Sequence, residues 1–113
     1  MPDAATNGRH THADIFAQAA SASVALDIGP GRGALVIYPH DRYKGCEIEI
    51  SAVDGDGRRV HTGVHERATH AGLMLTAIFG SLTAGDYVVW RDAGTAGPTV
   101  TVAEGEIAEL RLS

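Results

Sequence analysis

Histidine is the residue type whose number and spacing in this chain most readily suggest chemistry. Imidazole is the commonest protein ligand of transition metals, so each close pair of histidines can be tested against the geometry of a metal site. Six of the 113 residues are histidines. They are His10, His12, His40, His61, His65 and His70.

His10 and His12 form the pair best placed to share a metal ion. In an extended chain, residues i and i+2 point to the same side, so both rings can face one ion. A third ligand must come from elsewhere, and His70 or an acidic residue could supply it. The sequence therefore indicates a candidate Cu, Ni or Zn site at His10, His12 and His70, against the alternative that these histidines are ordinary surface residues. It indicates no other cofactor.

His61 and His65 fall on the same side of one predicted strand. Four residues of strand separate them by roughly 13 Å, at about 3.3 Å per residue. A zinc ion needs each ligand nitrogen within about 2 Å, so the two histidines cannot share one ion. Together with Arg67 they form a second candidate site on the surface, which would suit a small hydrolase assembled at a dimer interface.

Two further motifs are more typical of turns than of ligand sites. The glycines of residues 29–33 surround Arg32 as in a phosphate loop, but a strand is predicted to follow them, and a phosphate loop opens a helix. The acidic residues of 54–57 alternate with glycine as in a calcium loop, but position 65 is histidine where the closing glutamate should stand. Both segments are predicted to be turns.

Cys46 is the single cysteine. It excludes an intrachain disulfide and any zinc site built on several cysteines. It is in phase with Ile48 and Ile50, so it is predicted to point into the core and to be inert. No serine lies in a G-x-S-x-G motif, so the sequence offers no nucleophile for catalysis.

The elements that must position these residues are predicted to be short β-strands, because the apolar residues repeat every second position. Residues 34–38 are apolar on both sides, which is typical of a strand covered on both faces. The predicted strands are residues 24–28, 34–38, 46–50, 60–64, 73–79, 82–90, 99–102 and 108–112.

The C-terminal third contains the clearest fold signal. Leu82, Gly85 and Tyr87 form an L-x-x-G-x-Y corner, in which a tight turn leads into a strand. A Gly- and Pro-rich loop follows, and residues 99–112 are predicted to close the fold as a β-hairpin that turns at Glu104 and Gly105. We therefore predict an all-β fold for residues 23–113: a two-sheet antiparallel β-sandwich of seven or eight short strands.

This C-terminal pattern resembles that of prealbumin-like (transthyretin-like, carboxypeptidase regulatory-like) β-sandwich modules. The resemblance implies a sandwich fold, which is shared by modules with many roles. The residues that carry it are Leu82, Gly85, Tyr87, Val100, Val102, Gly105 and Glu106.

Two other groups of proteins are similar to parts of the chain. Residues 26–29, 33–36 and 85–90 look similar to motifs of short stand-alone actinobacterial proteins, from which no activity can be transferred. The 5-hydroxyisourate hydrolases share the transthyretin-like fold and carry a Tyr-Arg-Gly-Ser tail. Residues 109–113 read Glu-Leu-Arg-Leu-Ser, without that tyrosine and glycine.

Residues 1–22 are predicted to form an N-terminal arm with a short helix over 12–20. Thr11 can cap the helix and Asp14 lies in its first turn, where the positive helix end favours an acid. Ile15, Phe16 and the following alanines then form an apolar stripe. Such a short helix is marginal unless it packs against something.

Charge and hydropathy exclude several classes of partner. The formal net charge of −5 disfavours nucleic acid. The sequence has no stretch of about 18 apolar residues, so no membrane span is predicted. Residues 1–16 show no secretory signal, so a cytoplasmic location is expected. We predict a non-catalytic interaction or accessory module that binds a protein partner or self-associates, for example as a homodimer. The metal-binding protein and the interface hydrolase are the alternatives.

Overall fold

The computed structural model describes residues 28–113, which form eight β-strands and one 3₁₀ turn. The predicted arm and helix of residues 1–22, and all but the last residue of the predicted strand 24–28, lie outside this range. Ile28 itself is not in a strand. The strands are β1 (Arg32–Pro39), β2 (Glu47–Ala52), β3 (Arg59–Gly63), β4 (His65–Thr69), β5 (Gly72–Thr83), β6 (Gly85–Asp92), β7 (Thr95–Val102) and β8 (Ile107–Leu112).

The strands build two four-stranded sheets, and the predicted all-β sandwich is confirmed. The first sheet has the order β4-β5-β1-β8, and the second has the order β3-β2-β6-β7. The pairs are antiparallel with one exception. β1 and β8 run parallel, from Ala34 opposite Ile107 to Pro39 opposite Leu112.

The predicted closing hairpin is wrong, because β7 and β8 belong to different sheets. Val102 ends β7 in the core, and the chain then crosses to the first sheet through residues 103–106. The crossing is held by hydrogen bonds from Ala34 N to Glu106 O (2.9 Å) and from Gly105 N to Arg32 O (2.8 Å). β8 can thereby pair with the edge of β1 that β5 leaves open, so that buried β1 satisfies its backbone polar groups on both edges.

The core lies between the two sheets. Leu35 and Ile37 of β1 contribute to it from the first sheet, and Ile50 and Val89 contribute from the second. All four are fully buried. Full burial of one such aliphatic side chain contributes roughly 1.5–3 kcal/mol, so this core, which also holds Tyr43, Phe79 and Tyr87, is the main source of stability.

The predicted corner of Leu82, Gly85 and Tyr87 is confirmed. β5 ends at Thr83 and β6 begins at Gly85, so the chain passes from one sheet to the other through a single residue. Tyr87 is buried, and its hydroxyl donates to the Thr83 carbonyl at 2.5 Å. This bond ties the start of β6 to the end of β5.

The glycine-rich segment 29–33 is a turn, as predicted, and it leads directly into β1. Gly31 has a φ of +71°, the left-handed region that favours glycine. A β-bulge interrupts the pairing of β1 with β5 between Gly33 and Leu35. A Cβ added at Gly33 would lie 2.8 Å from the side chain of Val102 and 2.9 Å from Glu106 O, so only glycine fits there.

The predicted turn at residues 54–57 is also confirmed, since β2 and β3 form an antiparallel hairpin around it.

The prediction that Cys46 points into the core is wrong, because its side chain is exposed. Ile48 and Ile50 alternate into the core within β2, but Cys46 precedes that strand. Its N–H bonds the Tyr43 carbonyl of the 3₁₀ turn, so the alternation does not extend to it.

Candidate functional site

The predicted metal site of His10, His12 and His70 falls mainly outside the described residues. His10 and His12 lie outside residues 28–113, and His70 is exposed at the tip of the β4–β5 hairpin. Within the described part of the chain, no group of three His, Cys, Asp or Glu residues is arranged to hold a metal ion. His40 has a local role, because its Nδ1 accepts from the Arg42 N–H and caps the 3₁₀ turn.

The prediction that His61 and His65 share one strand is wrong. β3 ends at Gly63, Val64 is buried, and β4 begins at His65 in the other sheet. The chain thus passes from the second sheet to the first at one apolar residue, Val64. The sequence gives no sign of this change, because residues 60–64 alternate regularly. Consequently His61 lies in the second sheet, where its Nδ1 is 3.3 Å from Glu47 Oε1, while His65 and Arg67 lie in the first.

His65 and Arg67 do share one face, on the side of the first sheet that points away from the core. The strand registers define this outer face, because directly paired residues point to the same side. Its apolar members pack together around Val36. The outer face consists of Ala34, Val36 and Tyr38 of β1, His65, Arg67 and Thr69 of β4, Met74, Thr76 and Ile78 of β5, and Ile107, Glu109 and Arg111 of β8.

The centre of the outer face is buried although the second sheet lies on the opposite side. Ala34 and Val36 are 0% exposed and Thr76 is 1% exposed. The apolar residues packed against Val36 are Met74, Ile78 and Ile107, which all belong to the same face. The strands among residues 28–113 form only the two sheets, and the second sheet packs on the inner face. The outer face therefore has the burial of an interior surface.

Tyr38 links two strands of the outer face. Its hydroxyl donates to Glu109 Oε2 at 3.0 Å, and its side chain is largely buried. Burial raises the pKa of the Tyr38 phenol well above its ordinary value, and the hydrogen bond and negative charge of Glu109 raise it further. Tyr38 is therefore held as a neutral hydrogen-bond donor.

Arg67 marks a place where the described residues leave the outer face incomplete. Its Nε is buried and has no hydrogen-bond partner within residues 28–113. Its partner across the β4–β5 pair is Met74, which offers no strong acceptor. A buried donor without a partner costs about 1–3 kcal/mol, so a segment that supplied an acceptor to this Nε would be stabilised on the outer face.

A cleft continues the outer face at the end where β1 and β8 stop. It has a volume of about 650 Å³. Tyr38, Met74 and Arg111 belong both to this cleft and to the outer face. Leu73, also in the cleft wall, is 72% exposed. The surface thus combines a buried apolar centre with an open end that carries charge.

The corresponding face of the second sheet is different, because its polar groups satisfy one another. The Arg59 guanidinium lies 3.6 Å from the centre of the Trp90 ring and donates to Glu49 Oε1 at 2.9 Å. The Trp90 Nε1–H donates to Ser51 Oγ at 3.0 Å. This half-exposed cluster needs no covering layer.

The sequence signal for the outer face is the two-sided apolar pattern of residues 34–38, which predicts a strand covered from both sides. That part of the prediction is confirmed by the burial of β1. The contributions of Met74, Ile78 and Ile107 were not predicted from the sequence, since they depend on which strands flank β1.

Comparison of the chain with family models, curated proteins and solved structures gives no match. The resemblance to prealbumin-like modules therefore stays a prediction, and the fold itself is what the structure establishes. Within residues 28–113, no helix has the length and apolar character needed to cross a membrane.

Proposed function

We propose that this chain is a non-catalytic interaction module that binds a polypeptide segment on the outer face of its first sheet. The observation that carries the proposal is the burial of consecutive β1 residues on both faces, with the second sheet on one of them only. A buried apolar face requires a covering layer, since exposing it to water costs about 25 cal/mol per Å².

The composition of the outer face suits a protein partner. Protein interfaces combine an apolar centre with a polar rim, and here Ile78 and Ile107 flank the centre. His65 and Arg111 are exposed and provide the rim on the two outer strands. Apolar patches rimmed by polar residues are typical of interaction sites.

The dimensions of the face suit a short helix. Four strands spaced about 4.8 Å apart give a face roughly 14 Å wide. β1 has eight residues and is therefore about 26 Å long. An α-helix with its side chains is about 10–12 Å across, so one amphipathic helix can lie along the sheet.

Hydroxyl-radical footprinting of the full chain tests the proposal. Covered side chains react slowly with hydroxyl radicals. Met74, Ile78 and Ile107 should therefore be modified far more slowly than the same side chains would be on an uncovered sheet. Leu73 is the matched control, because it is an exposed apolar residue of the same strand. Modification of Ile78 and Ile107 at a rate close to that of Leu73 would show an open face and contradict the proposal.

A further inference from the structure

We infer that the segment occupying the outer face is the chain's own residues 12–22, docked on the same molecule. This inference rests on the proposed function, because it names the polypeptide that the face binds. It makes the chain a module whose binding face is already occupied, so that any other partner has to displace the arm.

Residue 28, where the described chain begins, lies at the end of the outer face from which the arm can extend along the sheet. Arg32 N donates to Gly29 O at 3.1 Å, and Gly31 N donates to Glu104 Oε2 at 2.8 Å. Residues 28–31 are therefore fixed beside the start of β1, where Ala34 and Ile107 open the outer face.

The preceding residues are long enough to reach along the face. Residues 23–27 can extend by roughly 17 Å at about 3.3 Å per residue. A helix over 12–20, as the sequence predicts, is about 14 Å long. Laid end to end the two segments span at most about 31 Å, so the arm can run the whole length of β1, which is roughly 26 Å.

The side chains of the arm match the outer face. A helix over 12–20 places Ile15, Phe16 and Ala19 on one side, since residues one, three and four apart form a stripe. Two large apolar groups are then available for the surface around Val36. The alanines of the arm let its backbone approach the sheet closely, and docking supplies the stabilisation that such a short helix lacks by itself.

Charge distinguishes the arm from a second copy of the sheet. Among residues 12–22, Asp14 is the only residue with a formal charge at neutral pH when histidine is neutral. The outer face presents the cations Arg67 and Arg111, and the Arg67 Nε has no partner among residues 28–113. The outer face also carries the anion Glu109, so it has a net excess of one cation, which the Asp14 carboxylate of the arm complements and a second copy of the same face does not.

Methyl NMR on the full chain gives the first test. With isoleucine δ1-methyl groups labelled, we expect nuclear Overhauser effects from Ile15 to Ile78 or Ile107. A mixed sample, in which labelled and unlabelled copies are combined, reports contacts between copies. The inference predicts that the effects occur within one copy and are absent from the mixed sample.

A peptide competition gives the second test. The probe is a fluorescent peptide of residues 10–24, added to the full chain. The tethered arm has an effective concentration on the order of mM, so the unaltered chain should bind the peptide at least about tenfold more weakly than a Phe16→Ser chain. Ala17→Ser is the matched control, because it places the same residue on the opposite side of the predicted helix and should behave as the unaltered chain does.

The outcomes separate this inference from the proposed function. Contacts from Ile15 seen only between copies, or a shielded face without any Ile15 contact, would overturn the inference and leave the binding face standing. Equal peptide binding by the unaltered and Phe16→Ser chains would also overturn it. An outer face open to solvent, with footprinting at the rate of Leu73, would overturn both.

Discussion

Leu35 and Val36 are neighbours in β1 and are both fully buried, but they point to opposite sides of the first sheet. Leu35 packs into the core between the sheets, and Val36 packs into the separate cluster of the outer face. A two-layer sandwich accounts for the burial of Leu35. The burial of Val36 requires a third layer, and that requirement underlies the function we propose.

The contribution of the outer face to stability can be measured with Ile78→Ser. Ile78 is partly buried, and removing it costs transfer free energy and leaves a cavity, so the free energy of unfolding should fall by about 1–3 kcal/mol. Leu73→Ser on the same strand should change it by no more than about 0.5 kcal/mol, because Leu73 is exposed. Urea unfolding of both variants gives the comparison, and equal effects would contradict a covered face.

Gly33→Ala should destabilise the chain, because the added methyl group meets the Val102 side chain and the carbonyl of Glu106. Overpacking of this kind costs about 1–3 kcal/mol of unfolding free energy. Gly29→Ala is the control, since no atom of residues 28–113 outside its immediate neighbours lies within 4 Å of its added Cβ. If thermal unfolding showed the two variants to be equally stable, the close packing of β1 on the 103–106 crossing would be wrong.

Tyr87→Phe removes the hydrogen bond that joins β6 to the Thr83 carbonyl. The net loss in the free energy of unfolding should be about 0.5–1.5 kcal/mol, the usual value for one hydrogen bond. Tyr43→Phe tests a hydroxyl whose partner is the exposed Arg42 side chain at 3.3 Å, and it should cost less. Chemical denaturation measures both, and a larger loss for Tyr43→Phe would argue against the corner as a stabilising element.

The buried tyrosines should make the chain less stable at high pH. Burial, with Glu109 in addition, raises the pKa of Tyr38 above the ordinary 10.0, and burial also raises the pKa of Tyr87. Above pH 10 the unfolded chain loses these phenolic protons while the folded chain retains them, so the stabilisation is full below pH 10 and decreases as the pH rises beyond it. Urea unfolding between pH 9 and 11 should show this decrease, with a shallower slope for Tyr38→Phe; identical slopes would exclude a contribution from Tyr38.

The metal-binding prediction remains open to a direct titration. If His10 and His12 bind Cu(II), Ni(II) or Zn(II), calorimetry on the full chain should show binding that the double replacement by alanine removes. His61→Ala is the control, because His61 is placed beside Glu47 on the second sheet. Unchanged affinity in the double variant would eliminate the predicted site.

The features that could be predicted from the sequence are those that depend on neighbouring residues. Alternation located most strands, and the spacing of Leu82, Gly85 and Tyr87 predicted the corner. Residues 34–38 also indicated a strand with two covered faces. Each of these signals lies within a few residues of chain, where side-chain direction follows directly from the period of two.

The features that could not be predicted depend on pairing between distant segments. The change of sheet at Val64 separates His61 from His65, and alternation continues across it without a break. The choice of β1 rather than β7 as the partner of β8 likewise joins segments about 70 residues apart. The outer face depends on both choices, so its apolar members emerge only when the order of the strands is known.

The most direct test of the account is the solvent exposure of the Ile78 and Ile107 δ1-methyl groups in the full chain. A soluble paramagnetic gadolinium chelate relaxes methyl groups according to their access to solvent. We predict that these two partly buried groups relax much more slowly than the methyl groups of Leu73, which is 72% exposed. Relaxation as fast as that of the Leu73 methyl groups would show that no polypeptide covers the face, and would contradict the account.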